Sequence, residues 1–254
     1  MGWIDSHCHL DFPEFSDPEN LLHELKAQGC ERILLPGTES RFFSRQQSVQ
    51  NLDKNFVWCA YGLHPYFLSQ HDDAHLQDLE NMLQTQACKA VGEIGLDFVL
   101  PEDTHEKQTL LFAQQVLLAK RYQQPLVLHC RKAHDQLSSY LKKQQFTHGG
   151  FVHGFSGSWQ QAKRYLDLGF VLGLGGALTY DRAKALKSLV KKLPSDAYVL
   201  ETDSPDMPPA FARDQPNSPL NVPRIAEYIA QLRGQTLEQV YTQSSANFYA
   251  VLPA

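Results

Sequence analysis

The stretch Asp5-Ser6-His7-Cys8-His9 places two imidazoles one residue apart, directly after the apolar pair Trp3-Ile4. On an extended strand side chains alternate with period two, so both rings point to one side and offer two nitrogens to one point. That is metal-ligand geometry. With 11 histidines in 254 residues, a His-x-His pair can arise by chance. This one gains weight because later apolar runs end the same way. Tyr61-Gly62-Leu63 leads to His64, Val91-Gly92 to Glu93, Leu126-Val127-Leu128 to His129, Phe151-Val152 to His153, and Tyr198-Val199-Leu200 to Glu201-Thr202-Asp203. Four histidines (His7, His9, His129, His153) with Glu93 and Asp203 suffice for two divalent ions and a bridging carboxylate. A core-facing Glu93 between glycines would be costly without a cation beside it. Each residue alone also has a plainer reading: a hydrogen-bonded core histidine, Asp203 as a helix N-cap, a buried ion pair.

The elements that must position these groups recur regularly. Short apolar runs lie at Gly2–Asp5, Arg32–Leu35, Phe56–Tyr61, Ala90–Ile94, Leu126–Leu128, Gly150–Val152, Phe170–Leu174 and Ala197–Leu200. Near-continuous hydrophobicity is what parallel strands covered on both faces require. Between them run helical patterns: Pro18–Gln28 before Gly29, Glu106–Arg121 before Gln124-Pro125, Ser158–Leu168 before Gly169, and Tyr180–Leu193 before Pro194. Glycine or proline after each is a stop signal. Leu220–Arg233 and Leu237–Tyr249 read as C-terminal helices split by Gly234. Eight strands alternating with helices give a single-domain (β/α)8 TIM barrel over residues 1–254, with a doubly wound open sheet as the alternative. In a barrel the polar strand ends converge on the C-terminal face, where the metal site is expected. The Pro-rich segment Pro205–Pro223 reads as a functional rim loop.

Composition narrows the class further. The chain is 43% hydrophobic with a formal net charge of −5, so it has no global attraction for nucleic acid, and a polyanionic substrate must be held by the site itself. Five cysteines without a C-x-x-C spacing read as buried free thiols of a reducing compartment. No apolar run is long enough to span a bilayer and no leader pattern is evident, so a cytoplasmic location is expected. Met1-Gly2 with Ser6 formally fits a myristoylation pattern, which the buried first strand argues against. His71-Asp-Asp-Ala-His75 imitates a metalloprotease helix but lacks its glutamate and reads as a solvated surface. His23, His105 and His148 read as surface, and His134 as able to face solvent.

Six motifs in order resemble the TatD family of metal-dependent deoxyribonucleases, within the amidohydrolase-like superfamily. They are Ile-Asp-Ser-His-Cys-His-Leu-Asp (4–11), Gly-Leu-His-Pro (62–65), Gly-Glu-Ile-Gly-Leu-Asp (92–97), Leu-His-Cys-Arg-Lys-Ala-His-Asp (128–135), His-Gly-Phe-Ser-Gly (153–157) and Leu-Glu-Thr-Asp-Ser-Pro (200–205). The resemblance implies that His7 and His9 hold one metal with Asp203, that Glu93 bridges, and that His129 and His153 hold the second. It also implies that His64 lines the site and touches substrate phosphate, against a plainer role in ordering the Gly-His-Pro turn. Phe98 stands where many relatives carry Tyr, and Phe211–Pro223 departs from the usual family loop, which leaves the rim contacts open.

The expected chemistry is hydrolysis of phosphodiesters in single-stranded DNA or DNA ends by a metal-activated water, with Glu93 and Asp203 catalytic and Asp203 taking the proton. Arg131 would hold a non-bridging oxygen, or else form a rim salt bridge. Amides around Gly154–Gly157 would make an anion nest; Tyr66, Phe67, Phe98 and Phe155 are candidates to stack bases, though each taken alone reads more simply as core packing. Two divalent ions per subunit are expected, with the histidines favouring Zn²⁺ and Mn²⁺ or Mg²⁺ also admitted. DNA or an oligonucleotide is the expected partner, with no membrane, no obligatory protein partner and a monomeric state. Hydrolysis of another small substrate (an amide, lactone or phosphoester) is the alternative. A metal-binding scaffold is a third reading, one that requires closed coordination with no room for water.

Overall fold

Alternation along the strands sorts the chain into two cores. Leu34, Trp58, Ala60, Val127 and Phe151 pack inside the barrel, while their neighbours Ile33, Leu35, Val57, Cys59 and Leu128 pack outward beneath the helices. This is the period-two pattern of strands covered on both faces. The computed structural model describes residues 2–85 and 88–253, so Met1, Gln86, Ala87 and Ala254 of the expected 1–254 domain lie outside the described residues.

The strands are β1 (Trp3–Asp5), β2 (Cys30–Pro36), β3 (Val57–Tyr61), β4 (Cys88–Asp97), β5 (Leu126–Arg131), β6 (Gly150–Val152), β7 (Phe170–Leu174) and β8 (Tyr198–Leu200). They form one parallel sheet in sequence order. The Ser6 amide donates to the Leu200 carbonyl at 2.9 Å and Cys8 bridges Ser204, which brings the last strand against the first. The open-sheet alternative is thereby excluded: the architecture is an α/β barrel.

The helices are α1 (Pro18–Ala27), α2 (Phe43–Leu52), α3 (Asp73–Leu83), α4 (His105–Arg121), α5 (His134–Lys143), α6 (Trp159–Asp167), α7 (Lys184–Val190), α8 (Val222–Arg233) and α9 (Leu237–Val251). Ser158 with Gln161 and Thr236 with Gln239 form reciprocal caps at the starts of α6 and α9, and Gly234 ends α8 in the left-handed conformation. From α9, Phe248 stacks on Trp58 and Phe151, ring centroids 5.8 and 5.5 Å away, and closes the interior from below. Helices α2, α3 and α5 stand outside the helical patterns expected from the sequence; α2 carries almost no apolar stripe, whereas those of α3 and α5 are at least as strong as that of α1. The helix expected over Tyr180–Leu193 is shortened to α7, because the Tyr180 hydroxyl donates to the Pro208 carbonyl at 2.9 Å and keeps the first residues in the rim.

All five cysteines are free and buried. Among the described residues no helix is long and apolar enough to cross a membrane.

Candidate metal centre

Strand phase carries several expected side chains inward. Val127 faces the interior, so His129 and then Arg131 follow in phase; Phe151 does the same for His153, and Val199 for Glu201. Two positions break the simple pattern. Ala90 faces in and Val91 out, yet Ile94 packs outward too. Against β5, Val91 pairs with Leu126 and Ile94 with Leu128, so β4 holds one extra residue there. This bulge shifts the phase and turns Glu93 into the barrel. Gly95 permits the close approach that follows, at φ +151°, since a Cβ there would overlap the His129 carbonyl.

The second break corrects the expectation that His7 and His9 end a strand. β1 stops at Asp5, and the chain bends at Ser6-His7. The buried Asp5 carboxylate explains it, accepting from the His7 and Thr202 amides at 3.1 Å and from the Thr202 hydroxyl at 2.6 Å. The backbone is thus tied to the β8 end instead of extending its own ladder. Burial pushes the Asp5 carboxyl up to about 8. Both imidazoles still reach the cavity mouth, by a bend rather than by strand alternation.

At the centre, the two oxygens of Glu93 face two different sets of rings. Oε2 lies 3.1 Å from His7 Nε2 and 3.9 Å from His9 Nε2. Oε1 lies 3.1 Å from His129 Nδ1, 3.3 Å from His64 Nε2 and 4.0 Å from His153 Nε2. Asp203 completes the cluster, 3.4 Å from His7 Nε2, 3.6 Å from His9 Nε2 and 3.4 Å from His153 Nε2. Its φ of +60° is a left-handed conformation rarely adopted outside glycine. Three groups of ligand atoms lie within 4.8 Å of one another: His7, His153 and Asp203; His7, His9 and Glu93; and His64, Glu93 and His129.

The donor set fits divalent cations. His7 Nε2, 3.1 Å from Glu93 and 3.4 Å from Asp203, is buried without an aligned hydrogen-bond partner, an orphaned donor atom aimed into the centre. Nitrogen and carboxylate ligands of this kind suit zinc, manganese and related ions. Charge is balanced in step. Burial alone would raise the Glu93 carboxyl, but His64, His7 and His153 outweigh it and hold it well below the usual range; His153 and His9 do the same for Asp203. Burial opposes protonation of His153, yet Asp203, Glu201 and Glu93 raise it well above the ordinary value. His64 is pushed down to about 4 by burial.

Outside the expected set, two carboxylates orient the rings. Asp97 Oδ2 sits 3.2 Å from His129 Nε2, which leaves Nδ1 for the Glu93 side. Glu201 Oε1 stands 3.3 Å from His153 Nδ1 and accepts from the Gly154 amide at 2.6 Å. Gly173 makes room for it, because a Cβ there would overlap the Glu201 carboxylate. Such partners fix ring orientation and basicity at metal centres. Strand spacing was the available signal: Asp97 is four residues after Glu93, and Glu201 continues the inward phase of Val199.

His64 lines the site, facing Glu93, and also orders the turn after it, its Nδ1 accepting from the Tyr66 amide at 3.0 Å. Arg131 lies at the rim with its side chain 56% exposed, 3.4 Å from Asp97 Oδ2. Phe155 is buried, and Phe98 packs against the core and stacks on His105 at 4.1 Å, so both take their plainer role as packing. Two surface readings are corrected. His71 is half-buried, with Nε2 2.9 Å from the His64 carbonyl, and His134 is buried against Tyr165. Tyr66 and Phe67 do line the mouth of the cavity, which measures about 720 Å³.

A parallel barrel with histidines and carboxylates gathered at the C-terminal ends of its strands belongs to the class of metal-dependent barrel hydrolases. Comparison with known proteins sharpens the class. A family model described as "TatD related DNase" matches residues 4–253. An Escherichia coli protein called an uncharacterized metal-dependent hydrolase, YjjV, is 40% identical over 98% of this chain and 97% of its own. A crystal structure of YjjV from that organism superposes with a TM-score of 0.94 at 38% identity, covering 99% of this chain and 98% of the other. A Pantoea ananatis protein named "3'-5' ssDNA/RNA exonuclease TatD" is 27% identical over 96% of each chain. The chain belongs to the TatD family and is a metal-dependent hydrolase.

Proposed function

We propose that the protein hydrolyses phosphodiester bonds of single-stranded DNA or of DNA ends. The observation that carries this is the placement of Glu93, with one oxygen toward His7 and His9 and the other toward His129, His64 and His153. On this reading His7, His9 and Asp203 hold one divalent cation, His129 and His153 a second, and Glu93 bridges them. Bound there, the cations supply Lewis acidity, acidifying water and offsetting the charge on phosphate oxygens.

The chain's own groups do the rest. Asp203 stays ionised among His7, His9 and His153 and faces the cavity, so it takes the proton of the attacking water. His64, kept neutral by burial, accepts from the Tyr66 amide at Nδ1 and therefore carries its proton on Nε2, facing the site. Arg131 brings a planar cation to the rim, where it pairs with a non-bridging oxygen. Tyr66, 61% exposed, and Phe67 offer faces for an unpaired base. The name of the Pantoea relative supports a single-stranded nucleic acid as substrate. Open access to the cavity disfavours a closed, purely structural metal site.

The test is metal-specific reactivation. Protein stripped with a chelator is reloaded with Zn²⁺, Mn²⁺ or Mg²⁺ and given end-labelled single-stranded oligonucleotides beside amide and lactone substrates. Oligonucleotide cleavage that returns with metal is the expected result. Activity restored only on amides or lactones rejects the reading.

A further inference from the structure

Beside the metal centre, on the side of β6 to β8, lies a second groove of about 530 Å³. It shares Ser156, Ala177 and Met207 with the main cavity, so the two are continuous. Beyond them it is walled by Tyr180, Arg182 and Leu186. The side facing β3 to β5, by contrast, carries Tyr66, Phe67 and Arg131.

Three observations bear on its occupant. Arg182 is exposed, lies 4.8 Å from the centroid of the Tyr180 ring, and has no carboxylate within 4.0 Å among the described residues. Its neighbour Asp181 faces Lys187 instead. In a chain with a net charge of −5, an unpaired guanidinium on an aromatic face beside the site is a local attractor for an anion. Met207 is held at φ +48° and is 37% exposed between the two cavities, an apolar side chain in a conformation it rarely adopts. The Tyr180 hydroxyl fastens this wall to the Pro208 carbonyl, so the groove is built rather than loose. Its volume lies within the range of small-ligand sites, about 300–1,000 Å³.

We propose that this groove takes the nucleotide adjacent to the scissile phosphate of a single-stranded substrate. Arg182 pairs with its phosphate, and Met207 and Tyr180 lie against its base. The assignment rests on the phosphodiesterase reading above and makes the protein selective for oligonucleotides over small diesters.

The test compares wild type, Arg182→Ala and Arg182→Lys, all metal-loaded, on a labelled oligothymidylate and on bis(p-nitrophenyl) phosphate, which is too short to reach the groove. Arg182→Ala should lower kcat/KM for the oligonucleotide relative to the small diester by roughly tenfold, mainly through KM, the worth of one charged hydrogen bond. Arg182→Lys should recover part of that ratio. Anisotropy of the same oligonucleotide on chelated protein gives a readout apart from turnover. Its dependence of log affinity on log salt should flatten by about 0.7 on losing one phosphate contact. An unmoved ratio with an unmoved salt slope overturns the groove assignment and leaves the phosphodiesterase reading standing. Failure of the wild type to cleave either diester overturns both.

Discussion

At the scale of single residues, Asp203 and Arg131 separate chemistry from architecture. Asparagine at 203 is nearly isosteric and still ligates a hard cation weakly, but its amide is not a usable base. Asp203→Asn should therefore fold, bind oligonucleotide and cleave about 100- to 10,000-fold more slowly, the usual cost of losing general-base assistance. Were the residue only a cap, stability would fall by about 1 kcal/mol with turnover intact. The chain after Asp203 bridges Cys8 instead of starting a helix, which already tells against that role. Thermal melts, metal analysis and single-turnover cleavage on one preparation separate the outcomes. Arg131→Ala should cost on the order of 2–3 kcal/mol in kcat/KM on an oligonucleotide, at unchanged metal content. Unchanged kinetics would reduce Arg131 to the partner of Asp97.

At the scale of elements, buried amides finish what the strands leave open. Gln108 of α4 accepts from the Asp97 amide at 2.8 Å and donates to its carbonyl at 3.0 Å; Gln115 does the same for Leu63 at 2.8 and 3.0 Å. Asn217 donates to the Thr202 and Met207 carbonyls at 2.7 and 3.2 Å and so pins the rim loop after β8. Each amide satisfies backbone groups where the sheet ladder ends. Gln108→Ala strands a buried donor and acceptor, so denaturant melts should show a loss of about 3 kcal/mol. His134 supplies a pH test between α5 and α6. Burial pushes it down to about 4, whereas the unfolded chain titrates near 6.5, so folding is favoured above 6.5 and the benefit is lost as pH falls through that window toward 4. Between pH 7 and pH 5 this histidine should cost the protein about 2 kcal/mol, a loss that His134→Gln does not share. Urea titrations of both proteins at the two pH values measure it.

For the whole molecule, the barrel is a frame that brings four histidines and two carboxylates from distant strand ends to one point. Wherever a cation binds the folded chain and not the unfolded one, it stabilises the fold by mass action. Elemental analysis after reconstitution should find about two metals per chain, the stoichiometry of a carboxylate-bridged pair. Chelation should lower the melting temperature, and readdition of metal should restore it. A fully active protein without bound metal would end the proposal.

Much of this was legible in one dimension. The runs at Phe56–Tyr61, Leu126–Leu128 and Phe170–Leu174 announced parallel strands, because a strand covered on both faces must be apolar throughout. Their place at the ends of such runs put His129 and His153 on the C-terminal face, where a barrel gathers its polar strand ends. Other features depended on contacts between distant segments. Glu93 turns inward through a bulge that exists only in the pairing of β4 with β5, and no periodicity in the chain encodes it. His7 reaches the centre because Asp5 binds Thr202, nearly two hundred residues away. Asp97 and Glu201 become orienting partners only once the strands are neighbours. Local spacing thus determined which side chains could act and which elements carry them. Tertiary structure decided which nitrogen meets which oxygen, because that distance is set by register, bulges and buried polar ties between strands far apart in the chain.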